Sequence, residues 1–217
     1  MNNKVVIACV TADDLSAINE LSRRPDTDVI GVALDLGDGP SLRELHDLAR
    51  AAGAARCHVL DVREEFAREC VLPAIDAGTV TDGADEVQAR AREFVAKKLA
   101  SIAALEGVAD VMPATIPVAA ARRASQASLD RAAQVEIAFQ DGVPLSINRI
   151  PMTLVEVLDV LATIGAAHGV TRADAALHAL QLAHQSLASV ASLATGSARL
   201  EIFDGRISAI QPDYATT

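Results

Sequence analysis

One feature constrains the fold more than any other: an alternation that runs through the first 112 residues. Short apolar runs at 4–10, 28–34, 56–60 and 109–112 read as strands. Stretches with helical spacing lie beside them, at about 14–24, 41–53, 63–77 and 84–106. Strands separated by helices imply right-handed crossovers and a parallel sheet, so the class is α/β. The strands are nearly continuous in apolar residues, as expected where both faces of a sheet are covered.

The pattern then changes. Residues 114–134, including "AAARRASQASLDRAAQ", read equally as helix or as linker. Beyond them, "VEIAFQDGVPLSIN" reads as two strands around Asp141-Gly142, and "SARLEIFDGRISAI" as two strands around Asp204-Gly205. Asp-Gly is a strong hairpin signal, because both central residues of a type I′ turn need positive φ. Helices are expected at about 153–167 and 172–193. The reading is a parallel-sheet domain over 1–130, followed by a small α+β domain over 131–217.

The turn after the first strand poses the functional question. "VVIACVTADDLSAINEL" passes from buried strand to helix with no glycine and with two carboxylates, Asp13 and Asp14. A backbone that wraps a phosphate brings several N–H groups close to the anion, often at positive φ, which glycine permits and Thr or Ala resists. The turn is therefore expected to be a poor phosphate cradle.

Charge and composition narrow the partners. A net charge of −10 argues against nucleic acid and against anionic membrane surfaces. No apolar run reaches the roughly 18–20 residues of a membrane span, and the N-terminus enters a strand without a basic leader. Cys9, Cys57 and Cys70 form no CxxC pair, which fits a reducing cytoplasm. Their expected role is that of small buried hydrophobes. With no Trp and one Tyr, Ala, Val, Leu and Ile must fill the core. The expected partners are a small molecule and further copies of the same chain.

Several segments together resemble the argininosuccinate synthases. "KVVIA" looks like their first strand, and "ALDLGDG" resembles A-D-L-G-Q-G. "HVLDVREEFARECVLPAI" is similar to a V-L-D-x-R-E-E-F…V-x-P-A-x segment, and "VAKKL" to I-A-K-K-L. "IGAAHGVTRAD" and "TGSARLEIFDG" resemble the family's later motifs. The resemblance implies an adenine nucleotide α-hydrolase-like (ATP-pyrophosphatase) first domain and ATP-dependent joining of citrulline to aspartate. It also implies a tetramer built through the C-terminal region.

The departures from that pattern fall on the chemistry. Against the family's S-G-G-L-D-T-S stand Val10, Thr11, Ala12, Asp13, Asp14, Leu15 and Ser16. Against G-K-G-N-D-Q, aligned on Thr115, stand Ile116 to Ala121, with Arg123 opposite the family's Arg. Ala84 to Gln88 replace Y-P-L-x-T, and Asp38 replaces the Gln of A-D-L-G-Q-G. The chain is also about half the family's length. The expectation is a divergent member without ATP-dependent ligase activity and without a cofactor.

Candidate site residues follow from the sheet topology, because open parallel sheets bind ligands beyond the C-terminal ends of their strands. Asp13 and Asp14 are the candidate acid–base pair, since neighbouring carboxylates can share a proton. The plainer alternative is that one of them caps the helix. Thr11, Ser16, Asp35, Asp38, Thr115, Arg122 and Arg123 are the candidate substrate contacts. The two arginines would neutralise the acids or hold an anionic group. No His or Cys spacing supports a metal. His168 is expected at a helix C-terminus, and Asn148 and Arg172 are expected to be structural. Two functional classes stay open. One is a repurposed, cofactor-independent isomerase, cyclase or lyase. The other is a catalytically inactive scaffold or regulatory partner. A residual amino-acid ligase is a third, lesser alternative.

Overall fold

The computed structural model describes residues 3–37, 41–77, 84–112, 131–170, 175–188 and 195–210. These fall into two compact units. One takes the described residues within Met1–Phe66 and Gln88–Val118, the other those within Ala67–Val87 and Ala119–Thr217.

The first unit is built on a parallel sheet of β1 (Asn3–Cys9), β2 (Thr27–Asp35), β3 (Arg56–Asp61) and β4 (Asp110–Met112), in the order β3-β2-β1-β4. Register pairs Cys9 with Ala33, Ile7 with Met112 and Asp35 with Asp61. On one face Val5, Ile7, Cys9, Val29 and Ala33 pack with Ile18 and Leu21 of α1 (Ala12–Ser22) and with Leu45 and Ala49 of α2 (Leu42–Ala51). The alternate residues Val6, Ala8, Ile30, Val32 and Leu34 are equally buried, so both faces are covered, as the apolar runs predict. After β3 comes one helical turn, α3 (Arg63–Phe66). Its Phe66 ring meets Phe94 edge-on at 5.6 Å.

The sequence predicts one helix over 63–77. The structure instead has α3, a π-helical turn at Ala67–Val71, and then α4 (Leu72–Asp76). Pro73 accounts for the difference. It has no N–H to continue the α-helical ladder, and its ring crowds the preceding turn. A wider π turn absorbs the mismatch. Helix α5 (Ala84–Glu106) has the predicted bounds, and its residues Ala91, Phe94, Val95, Leu99 and Ile102 are buried.

The second unit centres on an antiparallel sheet. Its strands are β5 (Ala133–Gln140), β6 (Val143–Ile147), β7 (Ile150–Pro151), β8 (Gly196–Phe203) and β9 (Arg206–Ile210), in the order β7-β6-β5-β8-β9. Both Asp-Gly hairpins form as expected. Asp141 and Gly142 have φ 52° and 81°, Asp204 and Gly205 φ 46° and 74°. Asn148 donates its N–H to Glu136 O (2.7 Å) and accepts from Glu136 N at its side-chain oxygen (2.9 Å). It thus extends the sheet from a turn, a structural role as expected.

One sheet face buries Val135, Ile137, Phe139, Leu200 and Ile202, beneath α6 (Leu154–Ala167) and α7 (Ala175–Ala188). α7 packs on α4, α6, β8 and β9 of the same chain, and Ala179, Leu180 and Ala183 are fully buried. A helix apolar around most of its girth suggests that a second copy must cover it. The chain's own α4, α6, β8 and β9 cover part of that girth, and Leu177, Leu182 and Leu187 remain half-buried.

Candidate functional site

The strand-to-helix turn at the end of β1 is closed by a capping box. Thr11 is the N-cap of α1. Its hydroxyl accepts the Asp14 N–H at 3.3 Å, while one Asp14 carboxylate oxygen accepts the N–H groups of Thr11 (2.9 Å) and Val10 (3.0 Å). The four N–H groups of a helix's first turn have no partner within the helix, and this pattern satisfies its start with the chain's own groups. Asp14 is 4% exposed, whereas Asp13 beside it is exposed. The two carboxylates expected to act together therefore differ in environment: one is locked beneath the turn and the other projects from it. Ser16 is exposed on the same helix.

Asp35, at the end of β2, meets a group that the sequence does not single out. Parallel register sets it opposite Asp61, and Arg63 spans both. Its Nε donates to Asp61 Oδ1 at 3.0 Å and its terminal NH2 to Asp61 Oδ2 at 2.8 Å. The same Nε lies 3.5 Å from Asp35 Oδ2. Asp35 Oδ1 accepts the Gly37 N–H at 2.9 Å. Hydrogen bonding from the Arg63 side chain holds the Asp61 carboxyl below the usual range, against the opposing effect of burial. Among the described residues, Arg63 is a counter-charge for both Asp35 and Asp61. The signal in sequence is an acid at a strand end followed two residues later by Arg, with a second strand-end acid 26 positions earlier. Only the register links them.

Asp38, Thr115, Arg122, Arg123 and Arg172 lie outside the described residues.

Cys9 sits in the apolar core, its thiol 3.7 Å from Leu45 O. Burial, with lesser contributions from Cys57 and Asp14, pushes that thiol up to about 12. This is the behaviour of a core hydrophobe, not of a nucleophile. Cys70 is buried and Cys57 half-buried; none of the three is in a disulfide. His168 is the C-cap of α6 and is buried, the helix C-terminal place expected for it. Among the described residues, no three His, Cys, Asp or Glu side chains are grouped as metal ligands. No helix of described residues is long and apolar enough to cross a membrane.

Comparison with known proteins places this turn and sheet in a family. Residues 4–115 match the family model of the arginosuccinate synthase N-terminal HUP domain, and residues 99–180 that of the arginosuccinate synthase C-terminal domain. The chain belongs to the argininosuccinate synthase family. The parallel sheet of the first unit is accordingly a HUP domain, the adenine nucleotide α-hydrolase-like class expected from sequence. The chain is 42% identical over 89 residues to the argininosuccinate synthase of Streptococcus suis, an alignment covering 41% of this chain and 22% of the relative. The Streptococcus thermophilus enzyme is 40% identical over 110 residues, covering 50% and 27%. The Bacillus cytotoxicus enzyme is 38% identical over 109 residues, covering 50% and 27%. The matched stretch thus spans about a quarter of those relatives.

Proposed function

We propose that this family member works without ATP, as an acid–base enzyme of the isomerase, cyclase or lyase type, on a small organic substrate at the C-terminal edge of the parallel sheet. Asp13 exchanges the proton, and Asp14 holds the turn that presents it. The observation that carries the reading is the split between the two neighbours: Asp14 is 4% exposed and bound to two backbone N–H groups, while Asp13 is exposed. An exposed carboxylate on a rigid turn beside a second, fixed carboxylate suits proton transfer that needs no cofactor. Thr11, Ser16 and Asp35 are the candidate contacts that lie within the described residues.

The same turn suits a triphosphate poorly. The Val10 and Thr11 N–H groups already face an internal carboxylate. Asp13 adds a negative charge where phosphate oxygens would approach. Unit charges about 4 Å apart repel by about 1 kcal/mol in water and about 4 kcal/mol near a protein surface. The test is pyrophosphate release with ATP, Mg²⁺, citrulline and aspartate, together with calorimetric titration of ATP. No release and no micromolar binding are expected; either one overturns the proposal. Mass spectrometry of small molecules retained by the native protein and by Asp13→Asn then identifies the substrate class.

One observation favours a second reading, that of an inactive scaffold or regulatory partner. Asp14, Asp35 and Asp61 are all engaged by groups of the chain itself. A native protein that retains no metabolite supports this reading over the first.

Self-association as a dimer or tetramer, in the cytoplasm, belongs to the same proposal. It is supported by family membership and by three cysteines that form no disulfide. Light scattering at micromolar concentration tests it, and a mass near 22.6 kDa is the outcome against it.

A further inference from the structure

We propose that Arg63 is the positioning residue of the sheet end: its guanidinium holds Asp35 and Asp61 side by side and, through Asp35, fixes the chain where it leaves β2. In its functional sense this rests on the reading of the sheet edge given above.

Strand register creates the need for such a group. Asp35 and Asp61 are direct partners on neighbouring parallel strands, and such strands lie about 4.8 Å apart. Two carboxylates at that spacing repel unless a cation stands between them. Arg63 stands there by geometry. Its Nε donates to Asp61 Oδ1 at 3.0 Å and lies 3.5 Å from Asp35 Oδ2, and its NH2 completes a two-point contact with Asp61 at 2.8 Å. The planar fork makes this arrangement possible; an ammonium cannot present two coplanar N–H groups.

The arrangement continues along the backbone. Asp61 Oδ1 also accepts the Arg63 N–H at 3.3 Å, which folds the segment back on the strand end. The Val62 N–H donates to Asp35 O at 3.3 Å, and the Gly37 N–H donates to Asp35 Oδ1 at 2.9 Å. Gly37 has φ +108°, so the chain leaves β2 through a turn whose first fixed point is the Asp35 side chain. Arg63 therefore acts on the Leu36-Gly37 segment through Asp35. It is 42% exposed and is not part of either apolar core.

The test reads this edge without substrate or nucleotide, so its failure is separable from failure of the proposed function. The Gly37 amide resonance is followed by NMR in the native protein, Arg63→Gln, Arg63→Lys and Asp35→Ala. Asp35→Ala marks the position of an amide without its carboxylate acceptor. In Arg63→Gln the Gly37 resonance is expected to move most of the way to that mark, and the Asp61 titration midpoint to rise. In Arg63→Lys the charge remains but the two-point contact is lost, so the Asp61 midpoint rises less than in Arg63→Gln while Gly37 still moves. That split separates positioning from simple charge and from a loss of stability. A native Gly37 position in either folded Arg63 variant overturns the proposal. Loss of folding in both also overturns it, because an exposed edge residue that only positions its neighbours leaves the cores intact.

Discussion

Thr11 and Asp14 cap one another: the Thr11 hydroxyl accepts the Asp14 N–H at 3.3 Å, and the Asp14 carboxylate accepts the Thr11 N–H at 2.9 Å. Removing an N-cap side chain costs about 0.5–2 kcal/mol. Thr11→Ala and Asp14→Ala are each expected to fall in that range by chemical denaturation. Because the two share one box, the double variant should lose less than the sum of the singles. Asp13→Asn, exposed and outside the box, should change stability by no more than about 0.5 kcal/mol. If Asp13→Asn proves the most destabilising of the three, the roles given to the two acids are reversed.

Gly53 is expected to tolerate no side chain. It has φ +108°, and a Cβ there would lie 2.4 Å from Ser22 Oγ. Ser22 is not free to retreat, since its single O–H has Asn19 O at 3.0 Å and Ala52 O at 3.3 Å as acceptors. Gly53→Ala should destabilise by about 1–3 kcal/mol, the scale of a strained backbone position. Adding Ser22→Ala should recover only part of the loss, because the 2.4 Å contact with the hydroxyl goes while the 2.7 Å contact with the residue-22 Cβ and the backbone strain remain. A neutral Gly53→Ala, measured by urea unfolding, would contradict this close approach.

Stability should decline in acid, and the cause can be located. Glu44 and Glu156 are held below the usual carboxylate range, first by the backbone N–H of Ser41 and Thr153 and then by those residues' hydroxyls. Glu106 is held low chiefly by hydrogen bonding from His58, with Arg56 and Lys4 assisting. Asp61 is held low by Arg63. A group whose folded pKa is depressed contributes stability that is present above its unfolded value and lost as pH falls through the folded one. The loss should therefore begin near pH 4.5 and continue below it, from the reference values of Glu and Asp. Denaturation midpoints of Glu44→Gln and Glu156→Gln should vary less with pH over that window than those of the native protein.

Cys9 gives the opposite sign at the alkaline end. Its folded thiol is pushed up to about 12 by burial, so its contribution is present below the unfolded value and lost as pH rises from there toward 12. Thiol alkylation at pH 8, mapped by mass spectrometry, should modify the half-buried Cys57 before Cys9. Rapid labelling of Cys9 in the folded protein would contradict its place in the core.

Whatever is decided within a few residues of chain is legible in the amino-acid order alone. Period and turn chemistry are local, so the alternation of the first half, the bounds of α5 and both Asp-Gly hairpins can be read from the sequence. That an acid helps cap α1 is legible for the same reason, because a box spans four residues, but the N-cap itself is Thr11 and Asp14 is its partner three residues on. Packing decides what depends on register and on faces. Asp35 and Arg63 are 28 positions apart, and they meet only because β2 and β3 pair with Asp35 opposite Asp61. Arg56 and His58 reach Glu106 across about 50 positions, at 2.8 and 2.9 Å. The apolar girth of α7 is visible in sequence, yet how much of it the chain's own α4, α6 and β8 cover is settled only when those elements pack. Hydrophobic burial is non-directional; it specifies that a face is covered, and the packed fold specifies by what.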